Sequence, residues 1–137
     1  MDMNFLVSEE PTWCKLLQGD ERVYKQTCEI TVPIARLDTI ISSDNLSKPD
    51  VIKIDVEGAE KDVLDGAAHI LRSARPVLLI ELHRTNRDIE ESLSKLVYRA
   101  LTLDGLDSIS DARWDAYVIA VPHERDDLYP ILLKVCS

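Results

Sequence analysis

The chain has 137 residues, of which 45% are hydrophobic and 30% charged, and its formal net charge is -9. This length suits a single apolar core, so we expect residues 1–137 to form one domain. The sixteen lysines and arginines are scattered among twenty-five acidic residues, which argues against a surface for nucleic acid or anionic membranes. Because no apolar run approaches the ~20 residues that cross a bilayer, and no signal peptide is evident, we expect a cytoplasmic protein.

Hydrophobic patterning in the amino-terminal third predicts two strands and a short helix. Residues 5–7 form an apolar patch before a turn-like cluster and predict a short strand. Residues 28–34 alternate at period two and predict a second strand, which Pro33 restricts to a sheet edge because proline lacks a backbone donor. Apolar residues on one helical face then predict a helix over residues 36–41.

The middle of the chain alternates between strand and helix patterns. Residues 51–54 predict a buried strand, and residues 77–80 predict a strand that is covered on both faces. Between them a helical pattern ends at Gly66, and a second short helix follows over residues 67–72. Another helix after the second strand is predicted from apolar residues at helical spacing. These residues are Ile89, Leu93, Leu96 and Val97.

The carboxy-terminal third predicts two further strands, over residues 100–103 and 117–121, and a closing helix. The apolar face of that helix comprises Leu128, Ile131, Leu132 and Val135. Strands that alternate with helices are typical of right-handed crossover units, which build a parallel sheet between helices. We therefore predict an α/β fold with a mostly parallel sheet and flanking helices.

Polar side chains follow the two middle strands at the point where each strand ends. Asp55 and Glu57 follow the first of these strands, and Glu81 and His83 follow the second. In open α/β sheets, ligands bind beyond the carboxyl ends of the strands. If the two strands are neighbours, these four groups share one rim.

A structural interpretation of the same groups is also open on the residues alone. Asp55 could cap the helix that follows it, because an aspartate at that position satisfies unpaired backbone amides. Lys53 lies within a predicted buried strand and needs a partner there. Glu81 on the adjacent strand would be the obvious one.

A functional interpretation uses these groups as a base or as metal ligands. Two or three carboxylates with His83 on an open rim could deprotonate a hydroxyl or hold a divalent cation, and the spacing does not choose between them. We expect His69 and His123 to be solvated. The three cysteines form no C-x-x-C pair, so they predict no metal or redox site.

Two segments of this region resemble the core of the FkbM methyltransferases. They are IKIDVEGAEKDVLDGA, residues 52–67, and RPVLLIELH, residues 75–83. Looser similarity extends to VPIARLDTII at residues 32–41, to YRAL from Tyr98 and to YVIAVP from Tyr117. The resemblance covers roughly residues 30–122.

The resemblance implies a partial class I methyltransferase domain, which is a Rossmann-like α/β fold, with S-adenosylmethionine as cofactor. Residues 51–54 would then be the fourth strand of the sheet and residues 77–80 the fifth. The implied reaction is methyl transfer to the oxygen of a small-molecule hydroxyl acceptor, such as a sugar or natural product. The catalytic residues that the resemblance implies are Asp55, Glu57, Glu81 and His83.

The glycines depart from the family pattern. Class I methyltransferases hold the cofactor with a glycine-rich loop after their first strand, whereas the glycines here are too far apart for G-x-G. These are Gly19, Gly58, Gly66 and Gly105. We therefore expect a domain that lacks the cofactor-binding half, with no cofactor-binding residues assigned. The unpaired central strand of such a domain predicts self-association or a partner chain.

Two other functions fit the same residues. One is a non-catalytic, methyltransferase-derived module that binds a protein through its open sheet edge. The other is a metal-assisted enzyme that uses Asp55, Glu57 and His83. Methyl transfer by the purified chain separates the leading hypothesis from the first alternative, and metal analysis tests the second.

Overall fold

The computed structural model describes residues 2–8, 15–16, 26–103, 106 and 108–135. Within these residues the chain forms seven strands, five α-helices and one 3₁₀ helix over His123–Arg125. The strands are β1 Asp2–Ser8, β2 Lys15–Leu16, β3 Gln26–Pro33, β4 Val51–Ile54, β5 Val77–Glu81, β6 Tyr98–Thr102 and β7 Tyr117–Pro122. The helices are α1 Leu37–Ser43, α2 Glu60–Gly66, α3 Ala68–Ser73, α4 Asn86–Lys95 and α5 Tyr129–Val135. No helix in this part of the chain is both long and apolar enough to span a membrane.

The amino-terminal sheet is antiparallel, with strand order β2-β1-β3. The register between β1 and β3 runs from Asp2 opposite Pro33 to Ser8 opposite Gln26. The predicted strand at residues 5–7 is confirmed and is longer than the patterning indicated. The predicted edge position of the second strand is also confirmed, since Pro33 ends β3, where a missing backbone donor costs little.

The carboxy-terminal sheet is mixed, with strand order β4-β5-β7-β6. β4 pairs with β5 in parallel, whereas β7 is antiparallel to both β5 and β6. The described residues between β6 and β7 include no helix, and a parallel return would need a crossover connection. β7 therefore inserts antiparallel between β5 and β6. The fold is of the α/β class. The prediction of a mostly parallel sheet is not confirmed, because only one of the three strand pairings in this sheet is parallel.

The core lies around the two inner strands of this sheet. Leu78 and Ile80 of β5 and Val118 and Ala120 of β7 are fully buried. The helices α2, α3 and α4 cover them with apolar side chains that belong to the same core. These side chains are Leu64, Leu71, Ile89 and Leu93.

β4 is an edge strand within the described residues, and the prediction of a buried strand there is wrong. Only Ile54 is buried, while Val51 is 63% exposed and Lys53 projects into solvent. An edge strand can have the same run of apolar residues as a central strand, although only one of its two sides pairs with a neighbouring strand. The hydropathy run at residues 51–54 could not distinguish the two positions.

The helices follow the predictions closely, with two local exceptions. α2 ends at Gly66 and α3 begins at Ala68, which confirms the predicted break. Val97 was predicted to lie on the buried stripe of α4, but the helix ends at Lys95 and Val97 is 58% exposed. In α5, Ile131 was placed on the apolar face and is instead exposed.

Two side chains of the α1 region dock the α2–α3 pair. Both carboxylate oxygens of Asp38 accept backbone hydrogen bonds, one from His69 at 3.0 Å and one from Ile70 at 2.9 Å. Arg36 donates to the carbonyl oxygen of Asp65 at 2.6 Å. An aspartate from another helix therefore satisfies the amides at the start of α3, which has no side-chain cap of its own at Ala67.

Candidate active site at the carboxyl ends of β4 and β5

The parallel pairing of β4 and β5 brings the four predicted site residues to one rim. Ile54 lies opposite Ile80, so the residues that follow the two strands emerge side by side. Asp55, Glu81 and His83 each offer one ligand atom, and these atoms lie within 4.8 Å of one another. The expected common rim of the two strands is thus confirmed.

His83 is held by a buried carboxylate that the sequence reasoning did not select. Its Nδ1 lies 2.8 Å from Oε1 of Glu60, whose side chain is 0% exposed. Glu60 also accepts hydrogen bonds from the backbone N–H of Gly58 at 2.9 Å and from the hydroxyl of Thr85 at 2.8 Å. Because this carboxylate acts as an acceptor, the Nδ1 of His83 is the donor of the shared hydrogen bond.

The other ring nitrogen of His83 faces the rim. In the neutral ring with hydrogen on Nδ1, Nε2 carries a free lone pair. This Nε2 lies 3.5 Å from Oε2 of Glu57 and 4.0 Å from Oε1 of Glu81. The side chain of His83 is 12% exposed, so the imidazole is largely enclosed but reaches the surface. The arrangement suits a base that takes a proton from a group on the rim.

The turn between β4 and α2 places the acidic side chains. Glu57 and Gly58 have φ values of +52° and +103°, which reverse the chain before α2 begins at Glu60. The second value lies where side chains other than hydrogen are strained, so glycine suits this position. The reversal returns Glu57 towards His83 and lets Glu60 bind the Gly58 amide.

Negative charge accumulates at this rim and changes the protonation of Glu57. Burial raises the pKa of Glu57, and the charges of Asp55, Glu81 and Glu60 raise it further, while His83 lowers it. The carboxyl of Glu57 therefore retains a proton more readily than an ordinary glutamate does.

Two further side chains complete the rim. Lys53 lies 2.9 Å from Oδ2 of Asp55, and this hydrogen bond raises the pKa of Lys53. Tyr117 on β7 is hydrogen-bonded to Glu81, which raises the pKa of the Tyr117 phenol. Lys53 and Tyr117 are both largely exposed, so the rim opens to solvent on their side.

Both structural interpretations of the rim are wrong in detail. Lys53 pairs with Asp55 rather than with Glu81, because residues two apart on a strand project from the same face. Asp55 does not cap a helix, since α2 begins at Glu60 after Ala59 and has no side-chain cap. The predictions that His69 and His123 are solvated are confirmed by their exposure.

Glu60, Thr85 and Tyr117 are the rim residues that sequence reasoning missed. A signal for Glu60 was present, because it lies four residues before Leu64 on the apolar face of α2. A carboxylate on a buried face requires partners, which Thr85 and His83 supply. No comparable signal marked Tyr117, because its position depends on the unpredicted insertion of β7 beside β5.

These features define a mixed α/β domain with an acidic, histidine-containing rim beyond two parallel strands. A family model described as the methyltransferase FkbM domain matches residues 8–103, a range that includes all four predicted site residues. The chain therefore belongs to the FkbM methyltransferase domain family. Neither a curated protein nor a solved structure gives a significant match.

Proposed function

We propose that this rim catalyses methyl transfer from S-adenosylmethionine to a hydroxyl oxygen of a small-molecule acceptor. Membership of the methyltransferase family supports the reaction class. The single observation that carries the proposal is the orientation of His83, whose Nδ1 is bound to buried Glu60 at 2.8 Å while Nε2 faces the rim. This is the arrangement that a general base requires.

The proposed proton transfer uses only residues of this chain. S-adenosylmethionine supplies an electrophilic methyl group on a positively charged sulfur. In methyl transfer a bond would form between the acceptor oxygen and the methyl carbon while the carbon–sulfur bond breaks and its electron pair stays on the sulfur, and Nε2 of His83 would take the hydroxyl proton. Glu60 then stabilises the imidazolium through the Nδ1 hydrogen bond, and Oε2 of Glu57 lies 3.5 Å from Nε2.

The negative charge of the rim complements the positive charge of the cofactor, but the sequence contains no motif that fits the rest of the cofactor. Four carboxylates surround the imidazole, those of Asp55, Glu57, Glu60 and Glu81, and a cationic sulfur is favourable beside them. The sequence supplies no G-x-G loop for the rest of the cofactor. We propose that residues 1–137 form the carboxyl-terminal part of a methyltransferase unit whose cofactor-binding strands pair with the open edge of β4.

Methyl transfer with radiolabelled S-adenosylmethionine and a panel of hydroxylated acceptors tests the function. We expect His83→Asn to lower the rate at least about 100-fold, because asparagine cannot take the proton. His69→Asn is the matched control, since His69 is exposed on α3 and contacts the rim in no described interaction. Equal rates for wild type and His83→Asn would contradict the assignment of His83 as the base.

The open edge of β4 favours a second candidate, a non-catalytic protein-interaction module. Val51 at this edge is 63% exposed, and no strand of the described residues pairs with β4 on that side, so its backbone groups can accept a further strand. Light scattering on the purified chain tests strand pairing between copies. Self-association without any methyl transfer would favour this candidate, whereas methyl transfer that depends on His83 would exclude it.

The ligand geometry of the rim favours a third candidate, a metal-assisted reaction. Asp55, Glu81 and His83 lie close enough to share one divalent ion, and their oxygen and nitrogen donors suit a transition metal. Metal analysis of the purified chain, followed by methyl-transfer assays with and without a chelator, tests this reaction. Activity that survives chelation would contradict it.

A further inference from the structure

A groove lies beside the rim and shares residues with it. Its volume is about 480 Å³, within the range of small-molecule sites. One wall is the start of α4, and the other is the segment that includes Ser110 and Trp114. Arg84 and Thr85, which line the groove, directly follow His83, and Thr85 donates to the carboxylate that orients His83. Thr85 therefore connects the groove to the carboxylate that holds the imidazole.

The groove concentrates guanidinium groups that have no carboxylate partner. Among the eight arginines of the described residues, five form ion pairs with aspartate or glutamate. The three others are Arg72, Arg84 and Arg87, and the last two both line the groove. The chain has a net charge of -9, so two arginines without a carboxylate partner on one surface are unusual. An anionic ligand would supply the missing partner.

The remaining polar groups of the groove are mostly engaged within the protein. The side-chain amide of Asn86 donates to carbonyl oxygens of the opposite wall, including that of Ala112 at 3.0 Å. Thr85, the N-cap residue of α4, makes no capping hydrogen bond because its hydroxyl binds Glu60. Arg84 lies over the indole of Trp114, 5.2 Å from the ring centroid. Among the groups left for a ligand are the two guanidiniums and the carboxylate of Asp88.

We propose that the groove binds a hydroxylated molecule that carries an oxyanion group, either a carboxylate or a phosphate, and that Arg84 and Arg87 recognise this group. A guanidinium forms paired, charge-assisted hydrogen bonds with both kinds of oxyanion. Asp88, the acidic residue among those lining the groove, accepts hydrogen bonds from hydroxyls of the same molecule. The role of this molecule as the methyl acceptor rests on the proposed function. Its binding in the groove does not depend on that function.

Binding of three related sugars tests the groove without any methyl transfer. Glucuronate, glucose 6-phosphate and glucose share hydroxyls and differ in the oxyanion. Titrations are followed by tryptophan fluorescence in a Trp13→Phe background, which isolates the signal of Trp114. We expect at least one anionic sugar to bind about tenfold or more tightly than glucose. Whichever of glucuronate and glucose 6-phosphate binds more tightly identifies the preferred oxyanion.

Arginine variants connect that preference to the groove. Arg84→Gln and Arg87→Gln should each weaken the anionic probe about tenfold, and Arg72→Gln should leave binding unchanged, since Arg72 is unpaired but does not line the groove. Thermal unfolding of each variant confirms that the fold is kept. His83→Asn should leave probe binding intact while methyl transfer is lost, which separates the groove from the catalytic proposal.

Three results would overturn the proposal. The first is equal affinity for glucose and both anionic sugars. The second is unchanged binding of the anionic probe to folded Arg84→Gln and Arg87→Gln variants. The third is an equal loss in the Arg72→Gln control, which would indicate attraction by overall charge rather than recognition in the groove.

Discussion

The two ends of β5 differ in how their charged groups are paired. Before the strand, Arg75 donates to Glu124 at 2.5 Å and 2.8 Å and to the carbonyl oxygens of Leu96 and Val97 at 2.8 Å and 2.9 Å. After the strand, several carboxylates surround the single imidazole of His83. At the first end the opposite charges and the carbonyl acceptors complement Arg75. At the second end the charge is unbalanced, and Nε2 of His83 remains available.

This contrast separates stability from chemistry. A satisfied cation that joins the ends of two helices and a strand stabilises the fold but offers nothing to a ligand. An excess of acceptors around an oriented imidazole contributes little to stability and suits proton transfer. Substitutions after the strand should therefore change the turnover rate, and substitutions before it should change the free energy of unfolding.

The largest expected effect is on catalysis, from Glu60→Gln at the rim. Glutamine keeps the size of the side chain and an oxygen that accepts from Gly58 and from Nδ1 of His83, but it removes the negative charge that stabilises the imidazolium. We expect the turnover rate to fall about 10³-fold, with little change in the affinity for the acceptor. ¹⁵N chemical shifts of the His83 ring should show the hydrogen on Nδ1 in both wild type and Glu60→Gln, so that a lower rate reports the lost charge and not a lost orientation.

Thr85→Val provides the matched control for Glu60. It removes one hydrogen bond to the carboxylate but leaves the contact between Glu60 and His83. Its rate should fall much less than that of Glu60→Gln. A turnover rate of Glu60→Gln that equals wild type would show that the negative charge of Glu60 does not matter for transfer.

The next effect is on stability, from Arg75→Ala at the opposite end. This substitution leaves the carbonyl oxygen of Leu96 and the carboxylate of Glu124 without the Arg75 donor, and the carbonyl oxygen of Val97 keeps only the N–H of His123. It also removes the guanidinium from the ring of Tyr98, 4.6 Å away. We expect the free energy of unfolding in urea to fall by about 3 kcal/mol. The methyl-transfer rate of the folded variant should be unchanged.

Arg125→Ala is the control for Arg75. The ion pair of Arg125 with Asp127 is exposed on both sides, with 51% and 65% of the side chains accessible, so its loss should cost less than about 0.5 kcal/mol. If Arg75→Ala and Arg125→Ala destabilise the chain equally, the carbonyl contacts of Arg75 contribute nothing.

The smallest effect is the pH dependence of stability from Glu124. The hydrogen bond from Arg75 lowers the pKa of Glu124 to about 2, below its ordinary value of 4.5. The unfolded chain binds this proton first, so the contribution is complete above pH 4.5 and is lost as pH falls towards 2. Since Glu124 is more than half exposed, the contribution is below about 1 kcal/mol.

Unfolding of wild type and Glu124→Gln as a function of pH measures this contribution. The difference between the two should be constant above pH 5 and should narrow towards zero in more acidic solution. A difference that does not depend on pH would mean that the charge of Glu124 is not what Arg75 recognises.

Local patterns were sufficient to predict most elements and the shared rim. The helical period of α2 to α4, the break at Gly66 and the parallel neighbourhood of β4 and β5 depend on nearby residues and on crossover geometry. The insertion of β7 and the exposure of β4 depend on which strands pair across the sheet. Short apolar runs contain no information on such pairing.

The rim itself was predicted in position but not in its internal contacts. The predicted site residues lie at the ends of two strands or just after them, and strand ends can be located from periodicity. These residues are Asp55, Glu57, Glu81 and His83. The partner of His83 could not be assigned in this way, because Glu60 meets the imidazole only after the turn at Gly58 returns the chain. Long-range contacts of this kind depend on backbone conformation rather than on spacing.

The link between α1 and α3 has a consequence for local opening of the fold. α1 contains no fully buried residue, and besides the packing of partly buried Leu37 its attachment includes the two hydrogen bonds that Asp38 accepts from the start of α3. When α1 detaches, the amides of His69 and Ile70 lose these acceptors and become able to exchange with solvent. Hydrogen–deuterium exchange at these two amides therefore measures how often α1 detaches from α3.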